Sequence, residues 1–205
     1  KNIKIELLKI TDNYEIIIVD DNSIDNSTLE IKKEISSDNK IKLIELSKNS
    51  GLHKSLLTGI EYSTGDIIYT TDIDLQVKAN NLIIFYEKLI QNKFDHIYGV
   101  YLNDSSKNLF HYIFKNIFIF LFKFFLSNKN IIKKSSTMIF NQNFKNHLMK
   151  FKEKEFTISG ITSLIGNSVD LPIKRNINKH TSYSFSKRLD EAFDLLTNHS
   201  RRPIY

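Results

Sequence analysis

Two carboxylates one residue apart, Asp72 and Asp74 in Thr70-Thr-Asp-Ile-Asp-Leu-Gln76, stand where the apolar run Asp66-Ile-Ile-Tyr ends. At a strand end the backbone turns, so both carboxylates can reach one hard cation, with the Gln76 amide oxygen as a third ligand. Mg²⁺ or Mn²⁺ held in this way would hold a diphosphate in turn. The same Asp-x-Asp pattern, taken alone, also serves as a turn or a helix cap. A second acidic pair, Asp20 and Asp21, ends another apolar run, Tyr14-Glu-Ile-Ile-Ile-Val19.

The elements that must position these residues are legible as alternating patterns. Short β-branched runs at 14–20, 41–46 and 67–71 read as buried strands. Helical stretches near 27–36 and 52–62 separate them, and a helix at about 80–91 and a strand at 96–100 continue the unit. Strands and helices alternating at this spacing predict an α/β fold with a mostly parallel, Rossmann-like sheet flanked by helices. Such sheets bind ligands at the carboxyl ends of their strands. Asp20, Asp21, Asp72 and Asp74 all fall at such ends, so the reading predicts that they converge in space. Further on, 137–140 and 168–173 read as strands, and 143–151 and 156–165 as helices.

Composition narrows the class. A chain of 205 residues with 41% hydrophobic content can build the core of one domain. The net charge of +6 is mostly lysine, and no aromatic-plus-basic module accompanies it, so nucleic acid is not an expected partner. The absence of cysteine leaves no disulfide frame or thiolate metal site and fits a reducing compartment. No signal peptide is evident, and the chain begins at Lys1 without an initiator Met, so upstream residues are expected.

Three parts follow along this single domain: residues 1–107 with the acidic pairs, 108–135, and 136–205. The middle part is rich in phenylalanine. Phe110, Phe114, Phe118 and Phe122 recur every four residues, which predicts a helix that is apolar around most of its circumference. Spanning a membrane is disfavoured by Lys115 and Lys123, each costing roughly 2.5–3.5 kcal/mol at mid-bilayer. Packing in a core or between copies in a homo-oligomer is a second option. Lying in a membrane surface fits best, with the rings at headgroup depth and flanking lysines near acidic lipids. In the last part Lys174, Arg175, Lys179, His180, Lys187 and Arg188 surround Thr181-Ser-Tyr183, a segment suited either to close over phosphates or to form a solvated basic face.

Three stretches together carry a resemblance. Tyr14-Glu-Ile-Ile-Ile-Val-Asp-Asp-Asn-Ser-Ile-Asp-Asn-Ser27, Lys48-Asn-Ser-Gly-Leu-His-Lys-Ser-Leu-Leu-Thr-Gly59 and Gly65-Asp-Ile-Ile-Tyr-Thr-Thr-Asp-Ile-Asp-Leu-Gln76 resemble family 2 glycosyltransferases of the GT-A fold. The Asp-x-Asp-Leu-Gln variant, the helix-rich insert and the later basic segment are most similar to the branch that transfers sugars to polyprenyl phosphates, such as dolichyl-phosphate mannose synthases.

The resemblance implies that Asp20 and Asp21, with Ser23, hold the base and ribose of a UDP- or GDP-linked donor. Asp72 would lie near ribose and metal. Asp74 would be the chief ligand of Mg²⁺ or Mn²⁺, with Gln76 beside it. Lys48, Asn49 and Gly51 would flank the nucleotide, with Gly51 also permitting a tight turn and Gly59 close helix packing. Arg175, Lys179, Thr181 and Tyr183 would meet donor or acceptor phosphates. His53 and Lys54 read as helix surface.

The implied activity is metal-dependent, inverting transfer to a polyprenyl phosphate at the cytoplasmic face of a membrane. The alternatives are transfer to a glycan hydroxyl during surface-polysaccharide assembly, and an inactive sugar-nucleotide-binding remnant. A hydroxyl acceptor calls for a general base, and Glu153 and Glu155 fall roughly where such relatives keep theirs; a Lys-Glu alternation is also an ordinary exposed face. This chain departs from the family at four places, one of them Lys179, which stands where the family's late Gly-x-Ser-x-Tyr segment has its glycine. It starts in what reads as the first helix, without the family's first strand, and Val77-Lys-Ala-Asn80 replaces the Pro-Pro that often follows the Gln. Tyr101 stands where an Arg often follows the Tyr-Gly strand.

Overall fold

The computed structural model describes residues 2–36, 38–72, 77–101, 134–151, 158 and 165–174. The expected Phe-rich helix, Asp74, Gln76, Glu153, Glu155, Arg175, Lys179, Thr181, Tyr183 and most of the helix expected at 156–165 lie outside them.

Helix α1 (Asn2–Leu8) precedes β1 (Ile16–Asp20), α2 (Ser27–Ile35), β2 (Ile41–Glu45), α3 (Leu52–Tyr62), β3 (Ile67–Thr70), α4 (Asn81–Asn92), β4 (His96–Tyr101), β5 (Lys134–Asn141), α5 (Gln142–Leu148) and β6 (Ser168–Ile173). Every strand and helix read from periodicity within the described residues is present, with ends shifted by up to three residues. The largest shifts are in β5, expected over 137–140, which starts three residues earlier, and in the helix expected over 143–151, which ends three residues earlier.

The strands form two sheets. β1 pairs in parallel with β2, from Ile16 opposite Ile41 to Asp20 opposite Glu45. The other four lie in the order β3-β5-β4-β6, with β5 antiparallel to both neighbours and β6 parallel to β4. Alternation of strands and helices predicts β3 and β4 as successive members of one parallel unit. They do run the same way, but β5 is inserted between them in the opposite sense. Among the described residues β1 and β3 are not paired with each other, and each has a hydrogen-bonded neighbour on one side only.

Side-chain alternation splits the four-stranded sheet into two faces. On one face Ile68, Tyr98, Met138 and Phe140 pack with Ile60 of α3 and with Phe144 and Leu148 of α5. On the other, Ile97, Ile139 and Ile173 meet Val77 and the α4 residues Phe85 and Leu89. Leu82, Phe85 and Leu89 follow the helical period, which is why α4 lays this stripe on the sheet. Asn141 starts α5 by accepting the Phe144 N–H at 2.8 Å. Lys145 caps the far end of α3, donating to the Glu61 carbonyl at 3.1 Å and to the Ser63 carbonyl.

Gly99 lies where the β4–β5 register shifts. A Cβ there would stand 2.8 Å from Ile173 Cδ1, 2.9 Å from Ser135 Oγ and 3.0 Å from the Thr137 carbonyl. The strands approach so closely that only glycine fits.

Candidate functional site

The acidic residues are brought to one edge by the ties at the two ends of α3. At its start, Asp21, just beyond β1, accepts the Ser50 N–H at 2.7 Å on Oδ1 and the Gly51 N–H at 2.8 Å on Oδ2. Beyond its end, Thr64 bonds Glu15, the residue before β1. Helix α3 therefore runs antiparallel to β1. β3 then sets out from the end where β1 begins, under Ile60 of the same helix. β1 and β3 consequently point the same way, and Asp72, two residues past Thr70, emerges on the edge that carries Asp20 and Asp21.

Each side chain at this edge has a local reason for its place. Asp20 is buried, with its Oδ2 accepting the Ser23 N–H at 3.0 Å and its Oδ1 the Ser23 hydroxyl at 2.5 Å. This turn passes through Asn22 at a φ of 59°, a left-handed conformation that Asn tolerates better than most residues. The Asp20 carbonyl accepts the Leu46 N–H at 2.9 Å, carrying the β1–β2 ladder one step past the strand. Gly51, the residue before α3, has a φ of 88°, which explains the glycine there. Gly59 packs on β1, where a Cβ would lie 3.2 Å from Val19, so both glycines have the structural places expected of them.

Lys48 and Asn49 are exposed on the loop between β2 and α3. Their neighbour Ser50, whose backbone binds Asp21, was not singled out by sequence reasoning; its signal was its place directly before the turn glycine. Tyr98 and Asp170 also join the neighbourhood unforeseen. Burial raises the Tyr98 phenol well above its ordinary range, and the nearby Asp170 and Asp72 charges act in the same direction. Asp72 thus sits close enough to β4 for its charge to be felt there.

The chemistry of the donor set fits a hard divalent cation. Asp72 is half-buried at the edge and offers carboxylate oxygen; beyond the described residues Asp74 would add a second carboxylate and Gln76 an amide oxygen. Among the described residues no group of three or more His, Cys, Asp or Glu side chains is arranged to hold a metal.

Two sheets whose strands mostly run the same way, with helices on both faces of the larger one, define an α/β class in which ligands bind at the carboxyl ends of the strands. The family described as glycosyl transferase family 2 matches residues 5–161, and the chain belongs to it. The sequence resemblance to that family is thereby borne out.

Among curated relatives, the chain is 28% identical to a protein described as putative glycosyltransferases from Mycobacterium tuberculosis (strain CDC 1551 / Oshkosh), over 96% of this chain and 57% of that protein. It is 24% identical to the undecaprenyl-phosphate 4-deoxy-4-formamido-L-arabinose transferase of Shewanella sediminis, over 94% of this chain and 59% of that protein. The chain thus spans less than two thirds of the length of these relatives. Among solved structures, the mannosyltransferase PcManGT from Pyrobaculum calidifontis, in complex with GDP-Man and Mn²⁺, superposes with a TM-score of 0.57 at 16% identity, over 98% of this chain and 61% of that one. TarS 1-349 of S. aureus, in complex with UDP-GlcNAc, does so with a TM-score of 0.55 at 15% identity, over 98% and 63%. The fold is that of the GT-A glycosyltransferases.

Proposed function

We propose that this chain transfers a sugar from a UDP- or GDP-linked donor to a polyprenyl phosphate at the cytoplasmic face of a membrane, by a single inverting displacement. The observation that carries this reading is the gathering of Asp20, Asp21 and Asp72 on one edge in a chain of this family. Relatives named for transfer to undecaprenyl phosphate support the acceptor class.

On this reading Asp20 and Ser23 border the base and ribose, with Lys48 and Asn49 alongside the nucleotide. Asp72, Asp74 and Gln76 would hold Mg²⁺ or Mn²⁺. That ion would offset the charge developing on the donor diphosphate as the bond from sugar C1 breaks. The new bond joins C1 to an acceptor phosphate oxygen, and the electron pair of the broken bond leaves on the nucleoside diphosphate. A phosphate monoester is largely dianionic at pH 7, its second pKa being about 6, so its attack needs no general base from the protein. Arg175, Lys179, Thr181 and Tyr183 are assigned to the phosphates.

The Phe-rich segment 108–126 is assigned to the membrane surface. No helix among the described residues is long and apolar enough to cross a membrane.

The test incubates the full chain with undecaprenyl phosphate in detergent micelles, Mn²⁺ and a panel of UDP- and GDP-sugars, and reads the lipid by mass spectrometry. A lipid-linked sugar phosphate, formed with nucleoside diphosphate release and unaffected by Glu155→Gln, is the expected result. Transfer to a glycan hydroxyl that Glu155→Gln abolishes would overturn the acceptor assignment. A folded sample that binds neither UDP nor GDP in the presence of Mn²⁺ would overturn the catalytic reading.

A further inference from the structure

The backbone of residues 46–51 leaves β2, presents Lys48 and Asn49 to solvent and turns into α3 at Gly51. Within the loop the Ser50 hydroxyl donates to the Lys48 carbonyl at 3.2 Å. The charged tie comes from outside it, from just beyond β1. The two oxygens of Asp21 accept the two successive N–H groups of Ser50 and Gly51, at 2.7 and 2.8 Å, across about thirty residues of chain. Charge-assisted bonds of this kind are roughly twice as strong as neutral ones. The adjacent Asp20 is engaged differently, closing its carboxylate on Ser23 of its own loop. Two neighbouring aspartates thus divide the work, one shaping the loop after β1 and the other the loop after β2.

We propose that Asp21 is a positioning residue: its carboxylate clamps the Ser50 and Gly51 amides and so holds Lys48 and Asn49 in place against the nucleotide, acting through the loop without contacting the donor. The inference rests on the nucleotide-sugar reading of the site. An acid is required at this position because both groups facing it are donors. Asparagine offers one acceptor oxygen and turns an NH₂ toward the second N–H, so Asp21→Asn loses one bond and sets donor against donor.

Two measurements test this. Amide hydrogen exchange on the unliganded protein needs no substrate. In the wild type the Ser50 and Gly51 amides are protected, and in Asp21→Asn they exchange at least tenfold faster while Leu43 in β2 keeps its rate. Exchange of both wild-type amides at the rate of an unstructured loop, or unchanged protection in Asp21→Asn, would overturn the clamp.

Calorimetry with UDP and with GDP in the presence of Mn²⁺ then separates positioning from direct contact. Asp21→Asn weakens the tighter nucleotide about tenfold in the wild-type background, yet changes affinity less than twofold when Lys48→Ala and Asn49→Ala are already present. A full tenfold loss in that background would mean that Asp21 touches the nucleotide itself. If the wild type binds neither nucleotide, the proposed function fails, while the exchange result still decides whether the clamp exists.

Discussion

Glu15 binds Thr64 across 49 residues, its Oε1 accepting the Thr64 N–H at 2.6 Å and the Thr64 hydroxyl at 2.7 Å. On its other oxygen the same carboxylate takes the Lys42 ammonium at 2.9 Å. One side chain therefore ties together the starts of β1, β2 and β3, where β1 and β3 share no ladder among the described residues. It brings the beginnings of the strands together so that their acidic ends come out on one edge.

This tie titrates. Partial burial would raise the Glu15 carboxyl, but the Lys42 ammonium and the Thr64 N–H and hydroxyl outweigh it and bring the group from 4.5 to about 2. A depressed folded-state value means that the stabilisation is fully present above about pH 4.5 and is lost as pH falls toward 2. In urea denaturation at pH 6, Glu15→Gln is expected to be less stable than the wild type by about 1 kcal/mol, the scale of one such hydrogen-bonded group. The gap should shrink at pH 3, and a gap that stays constant would show that the carboxylate charge is irrelevant.

Gly99→Ala tests the close approach of β4 to β5 and β6. The added methyl would press on Ile173, the Ser135 hydroxyl and the Thr137 carbonyl, and backbone cannot step aside as a flexible side chain can. A loss of about 1–3 kcal/mol is expected, measured by chemical denaturation. Stability equal to the wild type would mean that the strands separate freely there.

Asn141 does two jobs with one amide. Its Oδ1 caps α5 and its Nδ2 donates to Asp95 at 3.2 Å, while Asp95 also accepts the Asn167 N–H at 2.9 Å. Asn141→Ala should cost about 1–2 kcal/mol, the usual range for losing an N-cap. Asn141→Asp should keep the cap but set two carboxylates together, so its deficit at pH 7 should diminish as pH falls through the carboxylate range. A deficit independent of pH would leave the Asp95 contact without weight.

At the proposed metal site, Asp72→Asn and Asp74→Asn are each expected to reduce Mn²⁺-dependent turnover about 100-fold, equivalent to ~2.7 kcal/mol of transition-state stabilisation. Circular dichroism should remain that of the wild type. Turnover within a few-fold of wild type in both would remove the carboxylates from the chemistry.

For the Phe-rich segment, co-sedimentation with liposomes containing phosphatidylserine should capture the full chain, and raising salt from 0.1 to 1 M should release much of it as the Debye length falls from about 10 to 3 Å. Equal recovery in the supernatant with and without liposomes would refute a membrane-surface role.

Local periodicity determined a great deal here. The run Ile16-Ile-Ile-Val announced a strand, the stretch at about 80–91 a helix, and the acidic pairs at strand ends an edge with chemistry. Those signals are short-range, because an element's type depends on residues two to four positions apart. Which strand lies beside which is set by contacts dozens of residues apart. Nothing in Ser135-Ser-Thr-Met-Ile-Phe140 tells it to insert antiparallel between β3 and β4, since either direction buries the same alternating faces. Likewise the paired aspartates were legible as a site, but not that Asp20 turns to Ser23 while Asp21 reaches Ser50 and Gly51. Only the tertiary structure decided that, because a carboxylate takes its partner from whichever donors the folded backbone brings within hydrogen-bonding distance.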